Sequence, residues 1–209
     1  MRVIKLFKTA FFFVVFLFSG FLEAQELPIE LTTGNIHYKK ISGIGRQEGV
    51  ERQDPSNVIK FQDRYFVWYT RRKAGIHPYA STIYYATSKD GIHWQERGQA
   101  LGKGNRGAWD SFGVITPYVA HINNLWYLFY TATGNERFQG DNTLRHMGLA
   151  VSESPHGPWR KLENNPILSP GNSKEAWDAV LVDDAHLIVR NGEFWLYFKG
   201  RNKQDDPHD

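Results

Sequence analysis

The sequence predicts an all-β fold made of repeated, short-stranded units, and three observations carry that prediction. The first is composition. Of 209 residues, 15% are aromatic, with 7 Trp, 10 Tyr and 14 Phe, and 19 Gly with 9 Pro supply frequent turns, a mixture that favours strands and tight connections over long helices. The second is a recurring order of strand, polar turn and strand. The third is that the first two of these hairpins are followed by another strand, a turn and a tryptophan. With 41% apolar and 22% charged residues, the chain can bury a core, and disorder, collagen and coiled coil are poor readings.

The first two dozen residues follow different rules. Arg2, Lys5 and Lys8 precede an apolar run from Ala10 to Phe18, Ser19 and Gly20 close it, and Leu22-Glu23-Ala24 places a small residue before Gln25. This is the pattern of a bacterial-type secretory signal peptide cleaved near Ala24. As a membrane anchor the apolar core is about half of the roughly 20 residues a spanning helix needs. The expected organisation is a signal peptide over 1–24, an N-terminal segment over 25–50, a partial propeller domain over 51–202 and a polar tail over 203–209. Localisation is then periplasmic or secreted, with no membrane attachment after cleavage. Residues 1–24 hold three basic residues and one acidic, so the formal charge falls from +3 to +1 without them. No basic stripe remains to point to nucleic acid.

The hairpins are Asp54–Lys60 with Tyr65–Thr70, Thr116–His121 with Trp126–Thr131, and Asp184–Val189 with Phe194–Lys199. Their turns, Gln62-Asp63-Arg64, Asn123-Asn124 and Arg190-Asn191-Gly192, are rich in residues that tolerate positive φ. A third strand follows the first two hairpins, Ile83–Ser88 and Met147–Ser152, and then a turn leads to Trp94 and Trp159. Four short strands recurring at a period of about 60 to 70 residues mean propeller blades. A β-sandwich gives no reason for this order to recur, and blades must stack about an axis to cover their apolar faces. Residues 25–209 hold somewhat less than three such units, and a closed propeller takes about four or more. Further blades, from a continuation or from another chain, are therefore expected.

Arg52–Lys60 with Val67–Arg71, followed by Tyr84–Trp94, resembles the five-bladed propeller glycosidases of families 43 and 117. Family 117 is the nearer likeness. It includes exo-acting α-1,3-(3,6-anhydro)-L-galactosidases, which release the terminal anhydrogalactose of neoagaro-oligosaccharides. The resemblance covers most of residues 46–201 and rests on hairpin motifs that specify the fold better than the substrate. Family 117 members typically carry an N-terminal helical segment swapped between dimer partners. Residues 26–50 are short and glycine-interrupted and show no equivalent, and the region that would hold the family's general acid is missing. A homo-oligomer remains compatible with the resemblance.

Aligning the repeats places Asp54, Thr116 and Asp184 at one equivalent point, the start of the strand that lines a propeller's channel. Two blades in three thus aim a carboxylate at one channel mouth, and glycoside hydrolysis needs a pair of acids. Asp54 also stands before Pro55, and an Asp-Pro pair is an ordinary turn former. By resemblance Asp54 is the general base of an inverting reaction, which calls for an ordinary, low carboxylate pKa. Of the adjacent Asp183 and Asp184 only one can face the channel. Register favours Asp184, in the role of positioning the sugar and holding up the pKa of the acid; solvation of the strand's start is the other reading. Trp109-Asp110 and Trp177-Asp178 repeat in the preceding loops and fit either sugar contact or blade packing. His186, two residues beyond Asp184, points the same way along its strand and joins Thr116 among the substrate contacts.

Other chemistries lack their motifs. With no cysteine, disulfides, thiolate zinc and a Cys nucleophile are excluded. No His-x-His or His-x-x-x-His occurs, so no metal-ligand set is expected, and no cofactor; a hard cation on the channel axis, held by water and backbone, would leave no sequence trace. Phosphate-loop and serine-hydrolase motifs are also missing. Arg71-Arg72-Lys73 fits either a solvated loop or contact with an acidic or sulfated glycan. Two functions follow: an exported glycosidase acting on the non-reducing end of an algal or plant cell-wall oligosaccharide, or a non-catalytic carbohydrate-binding propeller fragment.

Overall fold

The computed structural model describes residues 4–6, 39–134 and 143–202. The expected signal peptide, save a short strand at Ile4–Leu6, the N-terminal segment up to residue 38 and the polar tail lie outside the described residues. The described residues form an all-β structure of three antiparallel sheets. No helix among them is long and apolar enough to cross a membrane.

The first blade holds β2 (Val50–Gln53), β3 (Ile59–Phe61), β4 (Arg64–Lys73), β5 (Thr82–Ser88) and β6 (Trp94–Leu101). Both β2 and β3 pair with β4, so they are the two halves of one innermost strand. The second blade, in order β7-β8-β9-β10, holds β7 (Gly113–Ile122), β8 (Leu125–Thr133), β9 (His146–Ser152) and β10 (Arg160–Lys161). In the third, β11 (Leu181–Arg190) pairs with β12 (Glu193–Arg201), and β1 (Ile4–Leu6) lies against the other edge of β12. The hairpins close where the polar turns were expected: Gln62, Asn123, Asn124 and Asn191 all take positive φ, as does Gly192.

Strand periodicity explains how the blades stack. Along β4, Phe66 and Trp68 join the cluster shared with the second blade, while Val67 and Tyr69 join one on the other face with Trp94 and Ile44. Successive side chains take opposite faces, and because both faces are covered, Phe66 to Thr70 is buried without interruption. The same holds for β8, where Trp126, Leu128 and Tyr130 face the first blade and Phe129 faces the third. Trp68 and Trp126, 0% and 1% exposed, meet at 6.0 Å between ring centres, and Trp159 stands edge-on to Trp68 at 6.0 Å. Burying each such aromatic stabilises the stack by about 1.5–3 kcal/mol.

Candidate active site

Each blade's innermost strand breaks its ladder at the same point. Register slips between Ile115 and Tyr118 in the second blade and between Asp183 and His186 in the third. In the first blade the break is wider, from Gln53 to Ile59, so the continuous strand expected from Asp54 is interrupted. Pro55 supplies no N–H to the ladder, Ser56 Oγ replaces a backbone carbonyl as acceptor of the Trp68 N–H, and Asn57 turns to Val119 of the second blade. A non-glycine residue with left-handed φ turns every break: Asp54 at 48°, Thr116 at 46° and Asp184 at 53°. That conformation costs about 1–3 kcal/mol per residue and persists only where the surroundings enforce it. The bulges re-aim the chain, and all three residues line one pocket of about 240 Å³ together with Asn57, Tyr118 and His186.

The supports cross between blades. Asn57 donates its Nδ2 to the Val119 carbonyl at 3.0 Å and accepts the Val119 N–H at 3.3 Å. Within the first blade, Ser56 Oγ accepts the Trp68 N–H at 3.0 Å and the Ser56 N–H donates to the Trp68 carbonyl at 2.7 Å. Thr70 Oγ1 accepts the Thr116 N–H at 2.9 Å. The Tyr118 hydroxyl donates to the Leu187 carbonyl at 3.0 Å, and the Tyr118 ring meets His186 edge-on at 5.3 Å. Beneath the pocket, Asp183 is buried. One of its oxygens accepts Thr116 Oγ1 at 2.8 Å, Thr131 Oγ1 at 2.6 Å and the Asp184 N–H at 2.8 Å. The other faces the Arg145 guanidinium at 3.5 Å. Asp184 lines the pocket instead and is paired with Lys199 at 2.5 Å.

Asp54 opens to solvent at the pocket mouth, yet the protein around its carboxyl raises its pKa above the ordinary value. Hydrogen bonds to Thr70 and Gln53 oppose the rise, and the negative charges of Asp183 and Asp184 add to it. The low, ordinary carboxylate expected of a base is thus corrected upward. Burial pulls Lys199 down, but its hydrogen bond to Asp184 and the two aspartate charges outweigh this and raise it, keeping an ammonium beside Asp184.

The repeated Trp-Asp pairs, expected to serve either sugar contact or blade packing, take part in packing within the blades. Trp109 stacks on Tyr130 at 5.8 Å and fills the space where a Cβ on Gly148 would come within 2.8 Å of its ring. Trp177 lies on Gly200 in the same way and packs against Phe198 at 5.5 Å. Asp110 is buried on Lys161 at 2.6 Å, Asp178 is also buried, and neither lines the pocket. Both close equivalent loops, since their carbonyls accept the N–H groups of Gly104 and Gly171. Arg71 and Arg72 are engaged across the sheet, by Glu96 and by Glu51 with Gln53.

Sequence reasoning missed Asn57, Tyr118 and Arg145. Asn57 carried a signal: it stands three residues beyond Asp54, where the other repeats have Val119 and Leu187. Arg145 lies outside the repeat pattern and gave none. Among the described residues, no cluster of three or more His, Asp or Glu is placed to hold a metal ion.

Residues 49–209 match the family model for glycosyl hydrolases family 43. A family 117 glycoside hydrolase of the marine bacterium Zobellia galactanivorans is 25% identical, with a TM-score of 0.71 over 78% of this chain and 53% of that one. A thermostable family 43 glycoside hydrolase is 22% identical, with a TM-score of 0.54 over 76% of this chain and 43% of that one. A family 43 enzyme from Xanthomonas citri, solved with xylose, is 20% identical, with a TM-score of 0.52 over 71% and 40%. The last two speak to the fold alone. The chain spans about half the length of these structures. No curated protein matches it significantly. With the family match spanning most of the chain and the blades stacked as described, this protein belongs to glycosyl hydrolase family 43, and its blades follow the propeller fold that the family 117 and family 43 structures share.

Proposed function

We propose that the chain supplies the general base and the substrate-orienting carboxylate of an exported exo-glycosidase. Its substrate is the non-reducing end of an algal or plant cell-wall oligosaccharide, cleaved with inversion. The observation that carries this reading is the convergence of three strained, equivalent bulges on one pocket, two of them bearing carboxylates. Asp54 at the pocket mouth takes the proton of the attacking water, and its raised pKa brings it nearer to working pH, where a base is most effective. Asp184, with Lys199 beside it, holds sugar hydroxyls and keeps negative charge near the acid, which disfavours the acid's ionisation. Inversion places acid and base about 6.5–9.5 Å apart. Asp54 and Asp184 are the carboxylates among the described pocket residues, so the acid is assigned to residues outside those described. That same assignment supports the second reading, a binding propeller without turnover.

The test is hydrolysis of neoagarobiose and aryl arabinofuranosides, followed by anion-exchange chromatography, with proton NMR of the first-formed anomer. Turnover is expected to invert the anomer and to fall by roughly two or more orders of magnitude in Asp54→Asn. Binding without turnover by the 209-residue chain selects the second reading. A retained anomer, or full activity in Asp54→Asn, overturns the base assignment.

A further inference from the structure

A second concave site lies at the hairpin end of the first blade, a groove of about 340 Å³ lined by Arg64, Thr87, Ser88, Lys89, Asp90 and Arg97 together with His93 and Gln95. It shares no residue with the pocket of Asp54. Arg64 begins β4 and Thr70, which braces that pocket, lies six residues along the strand, so the two sites are separated by about 20 Å of strand at 3.2–3.4 Å per residue.

Three cations face this groove, and none of them forms an ion pair among the described residues. This contrasts with Arg52, Arg71 and Arg72 of the same sheet, which are all paired. Arg97 Nε donates to Thr87 Oγ1 at 2.8 Å, which fixes the guanidinium and leaves its terminal nitrogens open. The one carboxylate in the groove is already engaged. Asp90 accepts Ser88 Oγ at 2.9 Å, the N–H groups of Ile92 and His93 at 2.9 and 2.8 Å, and contacts the His93 ring at 2.6 Å. The positive field reaches inward as well: burial lowers the His156 pKa, and the charges of Arg97 and Arg64 lower it further.

The repeat supplies an internal control. Ser88 pairs with Tyr65, and Ser152 pairs with Trp126, so Leu125 and Val151 of the second blade stand where Arg64 and Thr87 stand in the first. A groove also forms there, lined by Leu125, Val151, Ser152 and Glu153 with Arg160. The fold therefore makes the groove, while the excess of positive charge belongs to the first blade alone of the two.

We infer that the Arg64, Lys89 and Arg97 groove is an anion-binding subsite that holds a sulfate- or carboxylate-bearing glycan chain away from the catalytic pocket. Guanidinium forks match both oxyanions, and the Thr87 hydroxyl, which accepts from Arg97, keeps its own hydrogen as a neutral donor. That the anion is carried by a glycan rests on the glycosidase reading; that an anion is bound does not.

The experiment is calorimetric titration of the chain with three oligosaccharides of equal length: a sulfated galactan fragment, an oligogalacturonate and a neutral agaro-oligosaccharide. Inorganic sulfate, followed by NMR shifts of the Arg97 and Thr87 amides, and a single-stranded DNA of equal charge complete the set. The chain is expected to bind one or both anionic oligosaccharides more tightly than the neutral one, with affinity falling as salt rises. Arg64→Ser/Arg97→Ser should weaken that binding by roughly ten- to a hundred-fold, since charge-assisted contacts are among the stronger ones, while its melting temperature stays that of the parent. Stronger binding of the sulfated fragment assigns the groove to sulfate esters, and of the oligogalacturonate to carboxylates. Equal binding of neutral and anionic fragments, unchanged binding in the double variant, or DNA binding as tight as glycan binding overturns the proposal. Sulfate shifts without oligosaccharide binding retain the anion site and reject the glycan. None of these readouts depends on turnover, so failure here is distinct from failure of the Asp54 assignment.

Discussion

Removing the Asp183 carboxylate tests whether the pocket is held from below by a buried charge pair. The Asp183 and Arg145 side chains are 4% and 8% exposed, and Arg145 also donates to the Tyr79 hydroxyl while its guanidinium covers the Tyr79 ring at 4.2 Å. Asp183→Ala leaves that guanidinium buried without its nearest counter-charge, which costs about 3–5 kcal/mol. The hydroxyls of Thr116 and Thr131 and the Asp184 N–H lose their acceptor as well, within the same total, because these partners act as one network. For a chain of this size each kcal/mol moves the melting temperature by about 2–4 °C, so a fall of about 6–20 °C is expected in a circular-dichroism melt at neutral pH. Arg145→Met in turn leaves buried Asp183 with Lys199, at 3.9 Å, as its remaining cation. The double variant should therefore be less unstable than the sum of the singles, by about 0.5–3 kcal/mol of coupling. A melt of Asp183→Ala within about 2 °C of the parent, or strictly additive effects in the cycle, would refute the claim that this pair braces the site.

Two further outcomes are expected. Asp54 has a raised pKa in the fold, so its stabilising contribution is present below the unfolded value of about 3.9 and is lost as pH rises through the folded value. Asp54→Asn should thus melt above the parent at pH 7, with the gap closing at acid pH in scanning calorimetry; a gap that widens on acidification contradicts the assigned direction. Gly148→Ala puts a Cβ 2.4 Å from Tyr130 Cζ and 2.8 Å from the Trp109 ring, an overpacking worth about 1–3 kcal/mol. Gly45→Ala, with nothing within 4 Å, should leave the melt unchanged, and equal melts for the two variants would remove Trp109 from the core.

What was legible in the sequence was whatever repeats or depends on local chemistry. Asn123-Asn124 and Asn191-Gly192 announce tight turns because few residues accept positive φ, and the apolar runs between turns fix the strands. Aligning the repeats located Asp54, Thr116 and Asp184 without any three-dimensional information. The wider break after Gln53 was not legible, since Asp54 to Lys60 alternates well enough to pass for strand, and neither the Ser56 side chain's replacement of a carbonyl at Trp68 nor the reach of Asn57 to Val119 leaves a local signal. The Trp-Asp pairs stayed ambiguous because aromatic stacking on a sugar and on a neighbouring blade call for the same residue. The packing they do make rests on Gly148 and Gly200, whose missing side chains receive the rings, and those glycines lie 39 and 23 residues beyond the tryptophans. Likewise, a basic run such as Arg71-Arg72 does not disclose that Glu96 and Glu51 lie across the sheet.

The three left-handed residues separate what the fold demands from what the chemistry demands. If strain at this position served catalysis alone, the blade without a carboxylate would have no reason to carry it. Yet Thr116 adopts φ of 46°, within a few degrees of Asp54 at 48°, although a β-branched residue is an unfavourable occupant of that region. The bulge is therefore a property of the blade, and the residue at its apex is free to differ in use. In the second blade the apex side chain turns to support, donating its hydroxyl to the buried Asp183 of the third blade. Its backbone N–H goes to Thr70 of the first. In the first and third blades the apex bears a carboxylate that lines the pocket. Thr116 thus sits between two acids and ties the strand of Asp184 to Thr70, the residue that also hydrogen-bonds Asp54, so the spacing of Asp54 and Asp184 depends on a residue that has no acid chemistry of its own.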